Sequence, residues 1–153
     1  MNPAQLYQDA LDAVSRAVLT GDDKLYLSRM SLPYALTTHR GHFVITDRDE
    51  VVAIFQTLSA SLREKGVTDY VRITREARYL RPDVIEGLHF THILCNGERI
   101  TQPHASRQRL VLQSGEWRFA AAFYGIENDT LPITFPLTGL NRDTPPPGPV
   151  PFG

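Results

Sequence analysis

The stretch DYVRITREARYLRPDVIEGLHFTHILCNGERITQPHASRQRLVLQSGEWRFAAAFY, residues 69–124, decides the fold. Along it apolar and polar side chains alternate, the repeat of a strand that buries one face. Three dipeptides interrupt the alternation, Pro82-Asp83, Asn96-Gly97 and Ser114-Gly115. Each is a turn former: proline presets its own φ, and Asn-Gly or Ser-Gly accepts the positive φ of a tight hairpin. The stretch therefore predicts four long antiparallel strands joined in order.

Upstream the period lengthens to about 3.6, the repeat of an amphipathic helix. Asn2, Pro3 and Gln5 stand where an N-cap, a first-turn proline and a capping-box partner belong, and Leu6, Tyr7, Ala10, Leu11, Val14 and Val18 share one face before Gly21. DDKLYLSRM predicts a shorter helix, closed by Pro33. PYALTT and HFVIT, separated by His39, Arg40 and Gly41, read as a small hairpin with those residues at its tip. Asp47 and Glu50 form a capping box for a third helix, which Val51, Ile54, Phe55, Leu58 and Leu62 carry to Gly66.

Downstream, residues 126–153 hold seven of the eleven prolines and end in PPPGPVPFG, which predicts an extended tail without regular elements. The organisation is thus one α+β domain over residues 1–125 and a Pro-rich tail over 126–153. Leu131 to Leu140 is expected to dock on the domain or a partner, because its apolar side chains are too many for a solvated linker.

The composition is that of a single domain with a core: 153 residues, 42% hydrophobic and 22% charged. Sixteen basic residues against seventeen acidic leave no surplus to neutralise phosphates, so nucleic acid is not an expected partner. Cys95 is the sole cysteine, which excludes a disulfide framework or a multi-thiolate metal site and fits a reducing compartment. The first residues carry acids and no continuous apolar run, so neither a signal peptide nor a membrane span is expected. The expected location is the cytoplasm, and nothing in the residues calls for a cofactor.

Three segments, GDDKLYLSRMSLPYALTT, HFVITDRDEVVAIFQTLSASLREKGV and LVLQSGEWRFAAAFYG, resemble the nuclear transport factor 2-like, or SnoaL-like, superfamily. The resemblance covers roughly residues 4–125. It implies a cone-shaped half-barrel in which three N-terminal helices pack on a curved, mainly antiparallel sheet, with a ligand cavity between them and a homodimer as the common assembly. The superfamily includes ketosteroid isomerases, polyketide cyclases, dehydratases, epoxide hydrolases and transport factors, so the fold alone assigns no activity. Isomerase-type members use an acidic base with hydroxyl or acid donors, and cyclase members an inward Asp and His. Neither set maps onto this chain, which offers histidines without a matching Asp.

Which side chains face the cavity depends on strand register. In the last hairpin Trp117, Phe119, Ala121 and Phe123 share a face with Leu110 and Leu112, and stepping back by twos brings in Gln108, Ser106 and His104. The preceding hairpin has its more apolar face along Val71, Ile73, Ala77, Tyr79, Leu88, Phe90, His92 and Leu94, which also carries Arg75 and Glu86. A tight Asn96-Gly97 turn alone would set these two apolar faces against each other, bringing Glu76, His89 and His104 into line instead. A one-residue bulge between Glu98 and Pro103 reconciles them. The register so chosen predicts an inner face of Arg75, Glu86, Leu88, Phe90, His92, His104, Ser106 and Gln108.

Those residues define the candidate site. His104 and His92 beside Glu86 form a candidate acid–base set, since imidazole moves protons near neutral pH and a carboxylate fixes its tautomer. The plainer alternative is a pair of hydrogen-bonded sheet histidines. Arg75, Phe90, Ser106, Gln108 and Tyr34 are the candidate ligand contacts, with Arg75 either holding a ligand carboxylate or pairing with Glu86. No metal site is expected, because His92 and Cys95 fall on opposite faces of one strand. Three readings stay open: a domain binding a small hydrophobic molecule, a His-based isomerase, cyclase or dehydratase, and a structural or protein-binding domain with a filled interior. Val111, Ala120, Ala122 and Tyr124 are expected on the outer face, as the surface of a homodimer.

Overall fold

Asn2 caps the first helix by accepting from the Ala4 N–H at 2.9 Å, and Gly21 ends it at φ 74°. The computed structural model describes residues 2–38, 41–124 and 142–143. That helix, α1 (Pro3–Thr20), is followed by α2 (Asp23–Ser28), β1 (Met30–Thr38), β2 (Gly41–Ile45), α3 (Arg48–Glu64), β3 (Asp69–Arg81), β4 (Val84–Cys95), β5 (Glu98–Arg99), β6 (His104–Gln113), β7 (Glu116–Tyr124) and β8 (Arg142–Asp143). Asp22 and Asp47 cap α2 and α3 through their side chains. Among the described residues the foreseen reciprocal bonds are not made: Gln5 donates to Asp9, and Glu50 Oε2 is buried without a partner.

The strands form a single sheet in the order β3-β4-β6-β7-β1-β2-β8, with β5 paired to β4. All pairings are antiparallel except β1 with β7. The sheet curves under the helices, and α1 packs against β3, β4 and β7. Tyr7, Leu11, Ala17 and Val18 of α1 meet Ile85, Ile93, Leu110 and Phe119 of the sheet in a core with almost no exposure. This is the α+β arrangement that the segment order predicts, in the half-barrel form that the resemblance implies.

Three departures from regular alternation decide the faces. In β3, Thr74 lies opposite His89 but Glu76 opposite Leu88, so Arg75 is a bulge. Tyr70, Arg72 and Thr74 therefore point inward before it, and Ala77 and Tyr79 after it. In β7 the partner shifts between Arg109–Ala121 and Leu110–Phe119, so Ala120 is bulged, and Ala122 rather than Ala121 enters the core, with no exposure. Ala122 is thus lost from the predicted dimer face, and Phe123 turns outward.

The third departure overturns the predicted one-residue bulge. Cys95 pairs with Glu98 and Leu94 with Arg99 across the tight Asn96-Gly97 turn, yet further on Thr91 lies opposite His104. The connection through Pro103 has absorbed two residues instead of one. An even insertion preserves the face of every later residue, because the side-chain period is two. His89 consequently shares the inner face with Ser106, His104 and Gln108, while Glu86, Leu88, Phe90 and His92 lie on the outer face.

Pro33 lies inside β1 and does not close α2. It sits where the register of β1 on β7 shifts between Met30 and Ala35, a place where a missing N–H costs no ladder bond. Of the tail, Arg142 and Asp143 form a strand paired with Phe43 and His42, a regular element where none was foreseen. The expected docking of Leu131 to Leu140 lies outside the described residues. Among the described residues no helix is long and apolar enough to cross a membrane.

Candidate functional site

Between the sheet and the helices lies a cavity of about 50 Å³. Its apolar wall comes from both layers, with Val14 and Val18 of α1, Val51, Ile54 and Leu58 of α3, and Leu36, Ile45 and Phe119 of the sheet. Five polar side chains interrupt that wall: Tyr26, Tyr34, Tyr70, Arg72 and Gln108. Arg72 reaches it because the Arg75 bulge has not yet reversed the face of β3.

Arg72 is only 5% exposed. Its Nε–H donates to Ser15 Oγ at 3.0 Å and an Nη2–H to the Leu11 carbonyl at 3.1 Å, both on α1. The guanidinium lies over the Tyr70 ring, 5.4 Å from its centroid, a cation–π arrangement. Among the described residues no carboxylate pairs with it. Burial pushes the Tyr26 hydroxyl up to about 12 against the pull of Arg72, so Tyr26 stays a neutral donor. Gln108, 3% exposed, adds an amide to the same wall.

Next to the Arg72 row lies a second polar group. His89, 1% exposed, places Nδ1 2.7 Å from the Tyr7 hydroxyl, which is itself 3.1 Å from the Gly87 carbonyl. With the proton on Nδ1, His89 donates to Tyr7 and Tyr7 to Gly87, which satisfies all three groups. Gly87 is required here, since a Cβ would come within 2.5 Å of three Tyr7 ring carbons. Burial, with Arg72 and His104 adding to it, holds the His89 imidazole well below its ordinary range, and hence neutral. Cross-strand from His89, Ser106 is fully buried and its Oγ has no hydrogen-bond partner among the described residues. His104, in the row with Arg72 and Thr91, has an Nδ1 without a partner among the described residues, and burial lowers its pKa.

Of the predicted site residues, Tyr34 and Gln108 line the cavity. Ser106 and His104 share its face without forming its wall, and His104 is half-buried while Leu110 and Phe119 are closed off. Four candidates are on the wrong side. His92 faces outward and meets Arg99 at 3.0 Å. Phe90 lies on the same outer face, and Arg75 is exposed at its bulge.

Glu86 is buried on the outer face, held by Arg109 at 3.0 Å, Arg107 at 3.5 Å and Arg78 at 3.7 Å, so its partners are three arginines that exclude Arg75. The acid–base set of His104, His92 and Glu86 is therefore not assembled, because the sheet lies between its members. His89 belongs to the register not chosen, and the sequence pattern singles out neither Arg72 nor Tyr70. Their signal was polar: Tyr70, Arg72 and Thr74 alternate as regularly as Val71 and Ile73, and α1 carries Gln8 and Ser15 to meet them.

No protein-family model matches the chain, and no curated protein matches it. Solved structures do. An NTF2-like protein of unknown function from Shewanella oneidensis is 10% identical with a TM-score of 0.60, covering 81% of this chain and 99% of its own. A proposed dehydratase of the NTF2-like family from Streptomyces avermitilis is 14% identical, TM-score 0.59, with 81% and 95% covered. A proposed ketosteroid isomerase from Shewanella frigidimarina is 10% identical, TM-score 0.57, with 76% and 92% covered. At such identities the likeness is one of fold.

Proposed function

We propose that this chain, built on the NTF2-like fold, is a binding domain for a small, mostly apolar molecule held between the sheet and the helices. The observation that carries this reading is the composition of the cavity wall, apolar on both layers with Arg72, Gln108 and tyrosine hydroxyls at fixed places, the pattern of a site that orients a ligand. Its volume limits the ligand to a small one. Calorimetry and thermal unfolding with a panel of small apolar carbonyl compounds, acids, amides and alcohols test it. Saturable binding that a cavity-filling Leu36→Phe variant loses is the expected outcome, and absence of binding by every class in the panel overturns the reading.

A second reading, a structural or protein-binding domain with a filled interior, draws on the same volume. About 50 Å³ is far below the roughly 300–1,000 Å³ of drug-sized sites. The catalytic reading draws on the proposed isomerase and dehydratase among the structural neighbours and on neutral imidazoles at His89 and His104. Both histidines lie outside the cavity wall, which favours binding over proton transfer. A homodimer through the outer face fits the exposure of Val71 and Ile73, 40% and 52%, on adjacent outward positions of β3.

A further inference from the structure

We infer that the ligand of this cavity is a small apolar carboxylate whose head group is received by Arg72. The inference rests on the binding reading above and names the chemical class it would take. A guanidinium carries five N–H donors, and such a buried cation is ordinarily paired. Two donors of Arg72 are engaged, by Ser15 and by the Leu11 carbonyl, and both acceptors are neutral. The remaining donors have no acceptor among the described residues, although the side chain is 5% exposed and forms part of the cavity wall. An isolated buried cation is costly, and an anion entering the cavity would remove that cost while taking up the unused donors.

The rest of the wall selects among anions. Tyr70 beneath the guanidinium and the two α1 acceptors at its edge hold in place a planar fork that matches two coplanar oxygens. The neutral Tyr26 hydroxyl is one more donor on the wall. Apart from these, Tyr34 and the Gln108 amide, the wall is hydrocarbon, with Val14, Val18, Leu36, Ile54 and Phe119, which suits a short apolar tail and gives a multiply charged anion no second cation. A phosphate or sulfate would keep most of its charge unmatched.

The test compares matched probes on the full chain: propanoate and butanoate against butanamide and butan-1-ol, with inorganic phosphate as a further arm, read by calorimetry and by the shift in melting temperature. Butanoate binding about tenfold or more tighter than butanamide, with that preference abolished in Arg72→Met, is the expected result. Amide or alcohol binding as tightly as the acid, phosphate binding as tightly as butanoate, or undiminished butanoate binding by Arg72→Met each overturns the carboxylate assignment while leaving the cavity reading standing. If no organic probe binds, both readings fall. Because acid and amide are compared on the unaltered protein, the result does not depend on how the variant folds.

Discussion

Glu86 on the outer face of the sheet and Arg72 on the inner are buried to a similar degree, 3% and 5% exposed, and the fold treats them in opposite ways. Glu86 is ringed by Arg78, Arg107 and Arg109, so its charge is matched within the fold. Arg72 is held by a hydroxyl, a carbonyl and an aromatic face, with no carboxylate paired to it among the described residues. A charge surrounded by counter-charges needs nothing further, whereas one held in place and left unneutralised is poised for something brought from outside. Both were legible as polar residues on strands, and only the register separates the structural one from the one facing the cavity.

If the outer cluster is structural, removing its carboxylate should have the largest effect on stability. Glu86→Gln leaves three converging guanidinium groups without their anion and is expected to lower the unfolding free energy by about 2 kcal/mol in urea titrations. An unchanged midpoint would dissolve the contrast between the two faces.

The inner face should show itself through pH. His89 is held neutral, so its folded pKa lies below its unfolded value near 6.5. Above that pH both states are neutral and the full stability is present. As the pH falls through 6.5 the unfolded chain takes up a proton that the folded chain refuses, and stability declines by up to about 1.4 kcal/mol per pH unit until the folded pKa is reached. His104, shifted the same way, adds to the decline. Melting temperatures from pH 8 to pH 5 should fall more steeply for the unaltered protein than for His89→Gln, and parallel curves would remove His89 from the account.

Arg72→Met should have the smallest effect. The substitution removes a desolvated charge while leaving Ser15 Oγ and the Leu11 carbonyl without their donor, and these opposing terms bring the net change to within about 1 kcal/mol. A loss as large as that of Glu86→Gln would mean that Arg72 is part of the scaffold in the same sense as Glu86.

The sequence told most about elements and least about faces. The turns at Pro82-Asp83, Asn96-Gly97 and Ser114-Gly115 are where their residue chemistry predicts, as are the three helices, because caps and turn formers act locally. The inner face of β6 followed from its link to β7 by a tight turn, which placed Ser106, Gln108 and His104 correctly. The faces of β3 and β4 did not follow, for two physical reasons. The Arg75 and Ala120 bulges leave no mark in the apolar pattern, and the Pro103 connection inserts two residues where proline signals only an irregularity. The outward Val71 and Ile73 then drew the apolar criterion to the wrong side of β3, and Glu86, His92, Phe90 and Arg75 with it.

Gly87 has a mechanical consequence for what the cavity can admit. By letting the Tyr7 ring settle directly on the β4 backbone, it acts as a seat into which α1 is pegged, with the phenol hydroxyl latched to the Gly87 carbonyl and to His89. A helix pegged at that depth cannot ride up to accommodate a bulkier guest, so the clearance beneath Val14 and Val18, two and three turns further along, is fixed from one end. Variants meant to widen the chamber should therefore shave side chains from α3 or the sheet, since the α1 wall behaves as a rigid stop.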